Sequence, residues 1–301
     1  MNRGAPSKLA AAALVFNAFV WGVSWWPFRQ LEGAGVHPLW ATCLIYLLAV
    51  VCISVARPLA WRELFTHPTL WWLVLASGTT NAAFNWAVTI GDVVRTVLLF
   101  YLMPLWAVVL ARLLLGEPLT AAALLRVALA LAGALVILWP ADGGWPVPRS
   151  LSDGLGILGG FAFALNNVLL RREAERSSGA RALAMFAGGA GVAWVLALAL
   201  GPAGGVPSLP ALEASWLAGA FALGVFFLLG NLALQYGATR LPANATAVIM
   251  LTEVLFASGS ALALGAGRVD ARLLLGGAAI VAAALLAALP SPTAGGGKAL
   301  H

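Results

Sequence analysis

Few polar side chains interrupt the long apolar stretches of this sequence, and these few are the groups that could do chemistry. Glu253 is the carboxylate that lies deepest in an apolar run, and Asn85 and Asn231 lie within two others. Amides can hold a polar or zwitterionic solute through neutral hydrogen bonds, and a carboxylate removed from water binds a proton more readily. These residue types favour binding of small molecules and proton exchange over covalent catalysis.

The elements that position these groups must be membrane helices. Apolar residues make up 62% of the 301 residues and charged residues only 9%, and the mean hydropathy is +0.95. Soluble domains have roughly 45–50% apolar and about 25% charged residues. The net charge of +6 is scattered through short loops rather than gathered in a basic stripe, so no nucleic-acid partner is predicted. The composition predicts an all-α integral membrane protein whose surroundings are the lipid bilayer.

Apolar runs of the length of one membrane span recur along the whole chain, and they predict ten transmembrane helices. The predicted spans are residues 9–28, 38–56, 70–90, 96–115, 121–139, 155–170, 182–200, 216–236, 243–264 and 273–289. Most of the lysines and arginines fall on one side of these spans, which predicts that both termini are cytoplasmic. Arg3 and Lys8 before an apolar run imitate a signal peptide, but the run matches a later segment and is interpreted as a retained first helix.

The first five spans resemble the last five. "WGVSWWPFRQLE" aligns with "FALNNVLLRREAE", which places Trp21 opposite Phe163, and "FNWAVTIG" aligns with "GNLALQYG", which places Asn85 opposite Asn231. "TVLLFYLMPLW" similarly aligns with "TAVIMLTEVLF". Because five is odd, the second set must enter the membrane from the opposite side, so two inverted five-helix repeats are predicted. The predicted divisions are a first repeat at 1–142, a linker at 143–154, a second repeat at 155–290 and a flexible cytoplasmic tail at 291–301.

These motifs resemble one transporter family. The paired five-helix pattern, "VWGVSWW", "YLMPLWAVVLARLLLGEPLT" and "LTEVLFASGSALALG" are similar to the ten-helix EamA-type branch of the drug/metabolite transporter superfamily, and the Trp-rich first helix resembles the YddG-type amino-acid exporters. The resemblance implies an exporter of the bacterial inner membrane. The second half departs from the pattern, because Val254 follows Glu253 where the family often has proline and "LGAGRVD" replaces a terminal Leu-Gly-Glu.

Several residues are candidates for a substrate cavity. Asn81 lies one turn before Asn85 and therefore shares its helix face, with Phe84 beside them. Asn85 and Asn231 are the leading pair, since the repeat places them at similar depths. The alternative is that each amide only joins its helix to a neighbour, a contact of about 0.6–2 kcal/mol in membranes.

Three further residues complete the predicted cavity. Trp25 has two interpretations: it lines the cavity, or it anchors the helix at the membrane–water interface. Asn166 and Asn167 point in directions about 100° apart on a helix, so at most one faces a cavity squarely; Asn167 is included. Tyr101 precedes a proline inside the fourth span.

Pro104 and Glu253 are the candidates for motion and coupling. Pro104 interrupts an apolar run and predicts a hinge or kink that lines the pathway, with a static packing kink as the alternative. Glu253 is either a proton carrier for antiport or a neutral carboxyl that braces a helix contact.

The predicted function is a secondary transporter, not driven by ATP, that exports neutral, including aromatic, amino acids or related small metabolites by alternating access. Exporters of hydrophobic drugs or nucleobases, a channel and a membrane enzyme are the alternatives. An enzyme is disfavoured because the three histidines lie outside the spans and no G-x-S-x-G or H-E-x-x-H motif occurs. No cofactor and no metal are predicted; the oligomeric state stays open, and a monomer is compatible with the sequence.

Overall fold

Every secondary-structure element among the described residues is helical. The computed structural model describes residues 5–116, 120–139, 147–238, 240, 249–250, 252–266, 268 and 270–288. In chain order the helices are α1 Ala5–Val23, α2 Trp25–Gly33, α3 Pro38–Ala56, α4 Leu59–Thr66, α5 Thr69–Ile90, α6 Val93–Phe100, α7 Met103–Leu115, α8 Ala121–Leu138, α9 Leu151–Arg172, α10 Ser178–Leu200, the short 3₁₀ helix Pro202–Gly204, α11 Ala214–Ala238, α12 Thr252–Ala263 and α13 Ala271–Ala288.

Six helical segments of the described chain are long and apolar enough to cross a membrane. They are Lys8–Gly33, Pro38–Ala56, Val93–Leu115, Leu151–Leu170, Ser178–Leu200 and Ala214–Leu234. Two apolar helices are shorter, Val127–Ile137 and Ala271–Ala283. Helix α5 has 22 residues but carries two asparagines and several hydroxyl side chains, which lower its hydropathy. The chain is therefore a multi-pass membrane protein, and the count of ten spans stays a prediction.

Two of the predicted spans are divided into two helices each. The first breaks at Ser24, between α1 and α2, and the fourth breaks at Tyr101 and Leu102, between α6 and α7. Pro104 lies in the first turn of α7 rather than in the middle of a continuous helix. Proline is tolerated in a first turn because the N–H that it lacks would have no partner within that helix. Each break lies three residues or fewer before a proline, since Pro27 follows Ser24 on α2.

The helices pack around two main apolar clusters, and Trp21 of α1 packs against both. The first cluster is formed mainly by α3, α5, α10 and α11, and the second mainly by α6, α8, α12 and α13. Glycines allow two of the closest helix contacts. A Cβ atom added at Gly188 of α10 would lie 2.1 Å from the carbonyl oxygen of Val74, and one added at Gly133 of α8 would lie 2.5 Å from that of Gly276 in α13.

Parts of the predicted organisation lie outside the described residues. The predicted tail at 291–301, the start of the linker at 143–154 and much of the first half of the ninth span fall there. Residues 151–154 of the predicted linker belong to α9, so this helix begins before the predicted sixth span at residue 155.

Candidate functional site

The polar residues of α5 form a network with α3 and α10. The hydroxyl of Tyr46 donates to Asn81 Oδ1 at 2.5 Å, and Asn81 Nδ2 donates to the backbone carbonyl of Ser77 at 2.8 Å. The Ser77 hydroxyl in turn donates to the carbonyl of Met185 at 3.1 Å. Tyr46, Ser77 and Asn81 are all buried. We call these three residues the α5 network, and both amide groups of Asn81 are satisfied within it.

Asn85 lies one turn beyond this network and is fully buried. Its Nδ2 donates to Thr42 Oγ1 of α3 at 3.1 Å. Its Oδ1 has no hydrogen-bond partner within the described part of the chain. Asn85 therefore makes a helix contact with one half of its amide and keeps an acceptor for a further donor with the other half.

Glycines bring α5 and α10 together beside the α5 network. A Cβ atom at Gly78 would lie 2.4 Å from the carbonyl oxygen of Gly188, and one at Gly189 would lie 2.4 Å from the Tyr46 ring. No side chain larger than hydrogen fits at these positions without moving backbone or ring atoms. The α3, α5 and α10 contact is consequently closely packed.

The break between α6 and α7 lies against α9. Pro104 has no N–H group, so the carbonyl of Phe100, four residues earlier, loses the donor that an unbroken helix would supply. The turn tightens there, because the Leu102 N–H bonds to the carbonyl of Leu99 at 3.2 Å. A Cβ atom at Gly160 of α9 would lie 2.3 Å from the Phe100 carbonyl oxygen. Gly160 therefore lets α9 approach closely the Phe100 carbonyl that lacks its helical donor.

Tyr101 at this break reaches the buried carboxyl of α12. Its hydroxyl donates to Glu253 Oε2 at 3.3 Å, a longer hydrogen bond than that of Tyr46. Tyr101 is 2% exposed and Glu253 is 9% exposed. No salt bridge to Glu253 is formed by the part of the chain that the structure describes. Burial removes this carboxyl from water, and the Tyr101 hydroxyl donates a hydrogen bond that replaces part of its hydration.

The break between α1 and α2 lies against the same helix. Trp25 Nε1 donates to Ser260 Oγ of α12 at 2.9 Å, and a Cβ atom at Gly22 would lie 2.8 Å from the carbonyl oxygen of Glu253. Trp25 is 3% exposed, so it lies in the interior rather than as an anchor at the bilayer surface. We call Trp25, Tyr101, Glu253 and Ser260 the break cluster, because both helix breaks contribute to it.

Aromatic rings of five helices meet between the α5 network and the break cluster. Trp21 contacts Phe227 at 4.7 Å between ring centroids and Phe84 at 6.3 Å. Phe84 contacts Phe100 at 4.7 Å, and Phe100 contacts Phe163 at 5.4 Å. We call these five residues the central aromatic group. Only Phe84 was among the predicted site residues, although the alignment of Trp21 with Phe163 was a signal that could have found two others.

The remaining predicted residues differ in their burial. Asn231 is half-buried on α11. Asn166 of α9 is buried, and its Oδ1 has no partner among the described residues, whereas the adjacent Asn167 is exposed.

Two arginines that sequence analysis assigned only to loops tie helix ends together. Arg29 donates to the carbonyls of Thr89 at 3.0 Å and Gly91, which end α5. Arg95 donates through Nε and Nη2 to both oxygens of Asp153, at 2.7 and 3.0 Å, and through Nη1 to the Ile137 carbonyl at 2.7 Å. Cations at the carboxyl ends of helices satisfy the last carbonyls and complement the helix dipole. Arg95 thereby joins α6, α8 and α9.

Among the described residues no group of three or more His, Cys, Asp or Glu side chains is placed to hold a metal ion. The polar groups of the site are amides, hydroxyls, one indole N–H and one carboxyl, which bind organic solutes through hydrogen bonds.

Comparison with known proteins identifies the first half of the chain. The model of the EamA-like transporter family matches residues 8–139. Residues 8–139 are thus similar to an EamA-like transporter, and we call this matched part of the chain the EamA-like domain. No curated protein matches the sequence. Among solved structures, one crystal structure of a protein covers 92% of this chain and 95% of its own length, with a TM-score of 0.57 and 20% identity. At that identity the likeness shows a shared fold over nearly the whole chain and nothing about substrate.

The EamA-like domain supplies one side of each contact in the break cluster. Trp25 and Tyr101 lie within the matched residues, whereas Ser260 and Glu253 lie in the second half of the chain. The α5 network is different, because Tyr46, Ser77 and Asn81 all belong to the EamA-like domain. The break cluster is thus assembled between the matched domain and the remainder of the chain.

Proposed function

We propose that this protein is a secondary transporter that exports neutral, including aromatic, amino acids or related small metabolites across the bacterial inner membrane by alternating access. The central aromatic group is the observation that carries the proposal. Its rings come from α1, α5, α6, α9 and α11, so a solute bound among them contacts elements of both halves of the chain. The transporter family that matches residues 8–139 supports transport of a small molecule over membrane enzymology.

The chemistry around the aromatic group favours an uncharged or zwitterionic solute. Four polar groups near the aromatic group are the amides of Asn81 and Asn85, the Tyr101 hydroxyl and the Glu253 carboxyl. Strongly anionic cargo requires arginine or lysine partners, and none of these four groups is a cation. Phe84 supplies an apolar surface for an aromatic side chain, and we include Trp25, Asn231 and Asn167 as further residues of the pathway.

We also propose that the chain consists of two inverted five-helix repeats, with both termini in the cytoplasm. The helix contacts support this, because they form pairs that a two-fold axis would exchange. Contacts of α5 with α9 and α10 correspond to contacts of α11 with α1 and α3, and the contacts α3–α10 and α8–α13 would each map onto themselves. Gly91 packs against Ser152 of α9 and the aligned Gly237 against Leu14 of α1, which is the same correspondence at single residues.

The hinge function of Pro104 follows from its place at a helix break. A break removes the stiffness of a continuous helix at Tyr101 and Leu102, so α6 and α7 can change their relative angle at a small cost. The second break, at Ser24, lies at the end of α1. Helix α1 packs against α12, and in the same way α7 packs against α9. Bending at these two places would open and close the break cluster.

We propose that Glu253 carries the coupling proton. A proton carrier must exchange its proton during the cycle, and the contact of Glu253 with Tyr101 of the opposite half would change when the halves separate. Glu253→Gln keeps the shape and a hydrogen-bonding group but cannot release a proton. We expect transport by Glu253→Gln to lose its response to an imposed pH gradient while exchange without a gradient persists. An unchanged response to the gradient shows that Glu253 is not the proton carrier.

Counterflow in proteoliposomes tests the transport proposal. Vesicles are loaded with one unlabelled amino acid at a time, and uptake of labelled phenylalanine, tryptophan or threonine is followed with and without a pH gradient. Stimulation by neutral amino acids inside the vesicles supports the exporter proposal. Exchange of a hydrophobic dye or a nucleobase but of no amino acid rejects the substrate class and supports the alternative, since flat heterocycles also stack on aromatic rings.

A further inference from the structure

Asn17 of α1 differs from the other buried amides of the described chain. It is fully buried, and neither its Oδ1 nor its Nδ2 has a hydrogen-bond partner among the described residues. Asn81, in contrast, uses both groups, and Asn85 uses its Nδ2. A buried amide that makes no hydrogen bond destabilises the contact in which it is buried. Asn17 is therefore not explained as a residue that holds α1 to its neighbour.

The amide of Asn17 lies at the contact between α1 and α11. A Cβ atom at Gly230 of α11 would lie 3.3 Å from Asn17 Nδ2, so this helix approaches the amide closely. One turn away on each helix, after Asn17 on α1 and before Gly230 on α11, the rings of Trp21 and Phe227 touch, with centroids 4.7 Å apart. Because residues four apart share a helix face, the amide and the aromatic pair are neighbours on one surface of α1.

The contact that the repeat relates to this one is apolar. The alignment of the repeats places Phe84 opposite Gly230 and, by extension of the Trp21 and Phe163 pair, Asn17 opposite Gly159. In the structure a Cβ atom at Gly159 would lie 3.5 Å from the backbone nitrogen of Phe84, so these two positions also meet. Each contact thus joins one large residue to a glycine. The large residue lies on α1 in the first contact, but on α5, the counterpart of α11, in the second. The large residue is an asparagine in the first contact and a phenylalanine in the second, and both large residues belong to the first half of the chain.

We propose that Asn17 binds the polar end of the transported solute, while Trp21 and Phe227 contact its apolar part. This inference rests on the transport function proposed above and names the group that recognises the substrate. Nδ2 donates to the carboxylate of an amino acid, and Oδ1 accepts from its ammonium group. The α1–α11 contact is closed in this conformation, and solute enters when the two helices separate. The unpaired amide favours that separation, because it gains hydrogen bonds when the contact opens.

Asn17→Leu tests the assignment, since leucine is of similar size and has no hydrogen-bonding group. We expect the half-saturation concentration for phenylalanine in counterflow to rise about tenfold or more, as for the loss of a hydrogen-bonded anchor. The unfolding temperature without solute should stay equal or rise, because an unsatisfied amide is removed. Asn166→Leu, at a buried asparagine of α9, is the matched control and should shift half-saturation by less than about twofold. A half-saturation concentration of Asn17→Leu within about twofold of wild type overturns the assignment.

Gly230→Ala gives a second test that does not change Asn17 itself. The added methyl group contacts the Asn17 amide from α11. We therefore expect the half-saturation concentration for phenylalanine to rise several-fold, with little loss of folded protein. If Asn17→Leu fails to fold, Gly230→Ala decides the matter, and unchanged half-saturation in this variant overturns the proposal.

Solute binding separates this inference from the transport proposal. The unfolding temperature of wild type and Asn17→Leu is measured with phenylalanine, with phenethylamine, which lacks the carboxylate, and with hydrocinnamate, which lacks the ammonium group. Stabilisation of wild type by phenylalanine that is lost in Asn17→Leu supports the role of Asn17 even when no counterflow occurs, in which case the transport proposal alone fails. Equal stabilisation of both proteins, or none of wild type by any of the three compounds, overturns the role of Asn17.

Discussion

Tyr46 and Tyr101 both reach a polar partner on another helix, but their surroundings differ. Tyr46 donates at 2.5 Å to an amide whose remaining groups are also bonded, next to glycines that bring α5 and α10 into close contact. Tyr101 donates at 3.3 Å to a carboxyl, at a place where one helix ends and another begins. The α5 network therefore lies within residues 8–139, beside a closely packed contact of α5 with α10, whereas the break cluster joins residues 8–139 to the second half of the chain. We propose that the second contact, and not the first, is remade during transport.

The largest expected effect is on the closely packed contact between α5 and α10 beside the α5 network. Gly188→Ala places a methyl group 2.1 Å from the Val74 carbonyl oxygen, so α5 and α10 must move apart. We expect a loss of stability of about 1–3 kcal/mol or more, as for overpacked cores. Gly191→Ala on the same helix is the control, because a Cβ atom there meets no atom within 4 Å. Thermal unfolding in detergent measures both, and an equal stability of the two variants contradicts the tight contact.

A matched pair of substitutions then compares the two tyrosines. Tyr46→Phe leaves Asn81 Oδ1 buried without its donor, which costs about 1–3 kcal/mol of folding stability. Tyr101→Phe removes a longer bond at a helix break, so we expect a smaller loss of stability and a larger loss of transport rate. Unfolding temperature and initial rate of counterflow are measured for both. The distinction between the two regions fails if Tyr101→Phe destabilises the protein more than Tyr46→Phe does.

Pro104→Ala should affect motion more than stability. Alanine restores an N–H group that can donate to the Phe100 carbonyl, so α6 and α7 can join into one helix. We expect a transport rate lower by about tenfold, or about 1.4 kcal/mol in the barrier, without a lower unfolding temperature. Pro38→Ala is the control, because Pro38 begins α3 and does not follow a helix break. An unchanged rate in Pro104→Ala supports a static packing role for the proline.

The smallest effect is expected at an exposed contact near the start of α10. Glu63 accepts hydrogen bonds from the hydroxyl of Ser177 at 2.5 Å and from its N–H at 3.0 Å, and these lower the pKa of the Glu63 carboxyl. A carboxyl whose pKa is lower in the folded state adds stability above its unfolded-state pKa and loses it as the pH falls through the folded-state value. Glu63→Gln should therefore reduce stability at about pH 7 and converge with wild type in acid.

A pH series of unfolding temperatures checks this expectation. Glu175→Gln, at an exposed carboxyl between α9 and α10, is the control. A difference between Glu63→Gln and wild type that grows as the pH falls would reverse the sign and contradict the proposed cause.

Composition and periodicity predicted the helical membrane class, because one side of a span must be apolar to face lipid. Pro104 likewise predicted the place of the break between α6 and α7, since proline acts through its own backbone. The partners of the polar residues were not predictable in this way. Trp25 near the end of a span resembles an interfacial anchor, and only the position of Ser260, 235 residues later in the chain, makes it an interior residue.

The polar stripe on α5 shows the same limit. Spacing placed Asn81 and Asn85 on one face of the helix, but their roles depend on which helix meets that face. Tyr46 and Thr42 of α3 meet it, and each forms a hydrogen bond with one group of one amide, Asn81 Oδ1 and Asn85 Nδ2 respectively. Asn17 was visible as a polar residue in the first span, yet the absence of a partner among the described residues becomes apparent only when α11 is in place.

The glycine contact between α8 and α13 also has a consequence for the order of synthesis. Gly133 lies in the first half of the chain, and its partner Gly276 lies near the end of the described helices. Ribosomes add about 5–20 residues per second, so α8 waits on the order of ten seconds for the helix that covers its small-residue face. During that interval α8 is a membrane segment with an unoccupied binding face, and a chain that stops before α13 leaves the ribosome with that face open to other membrane helices.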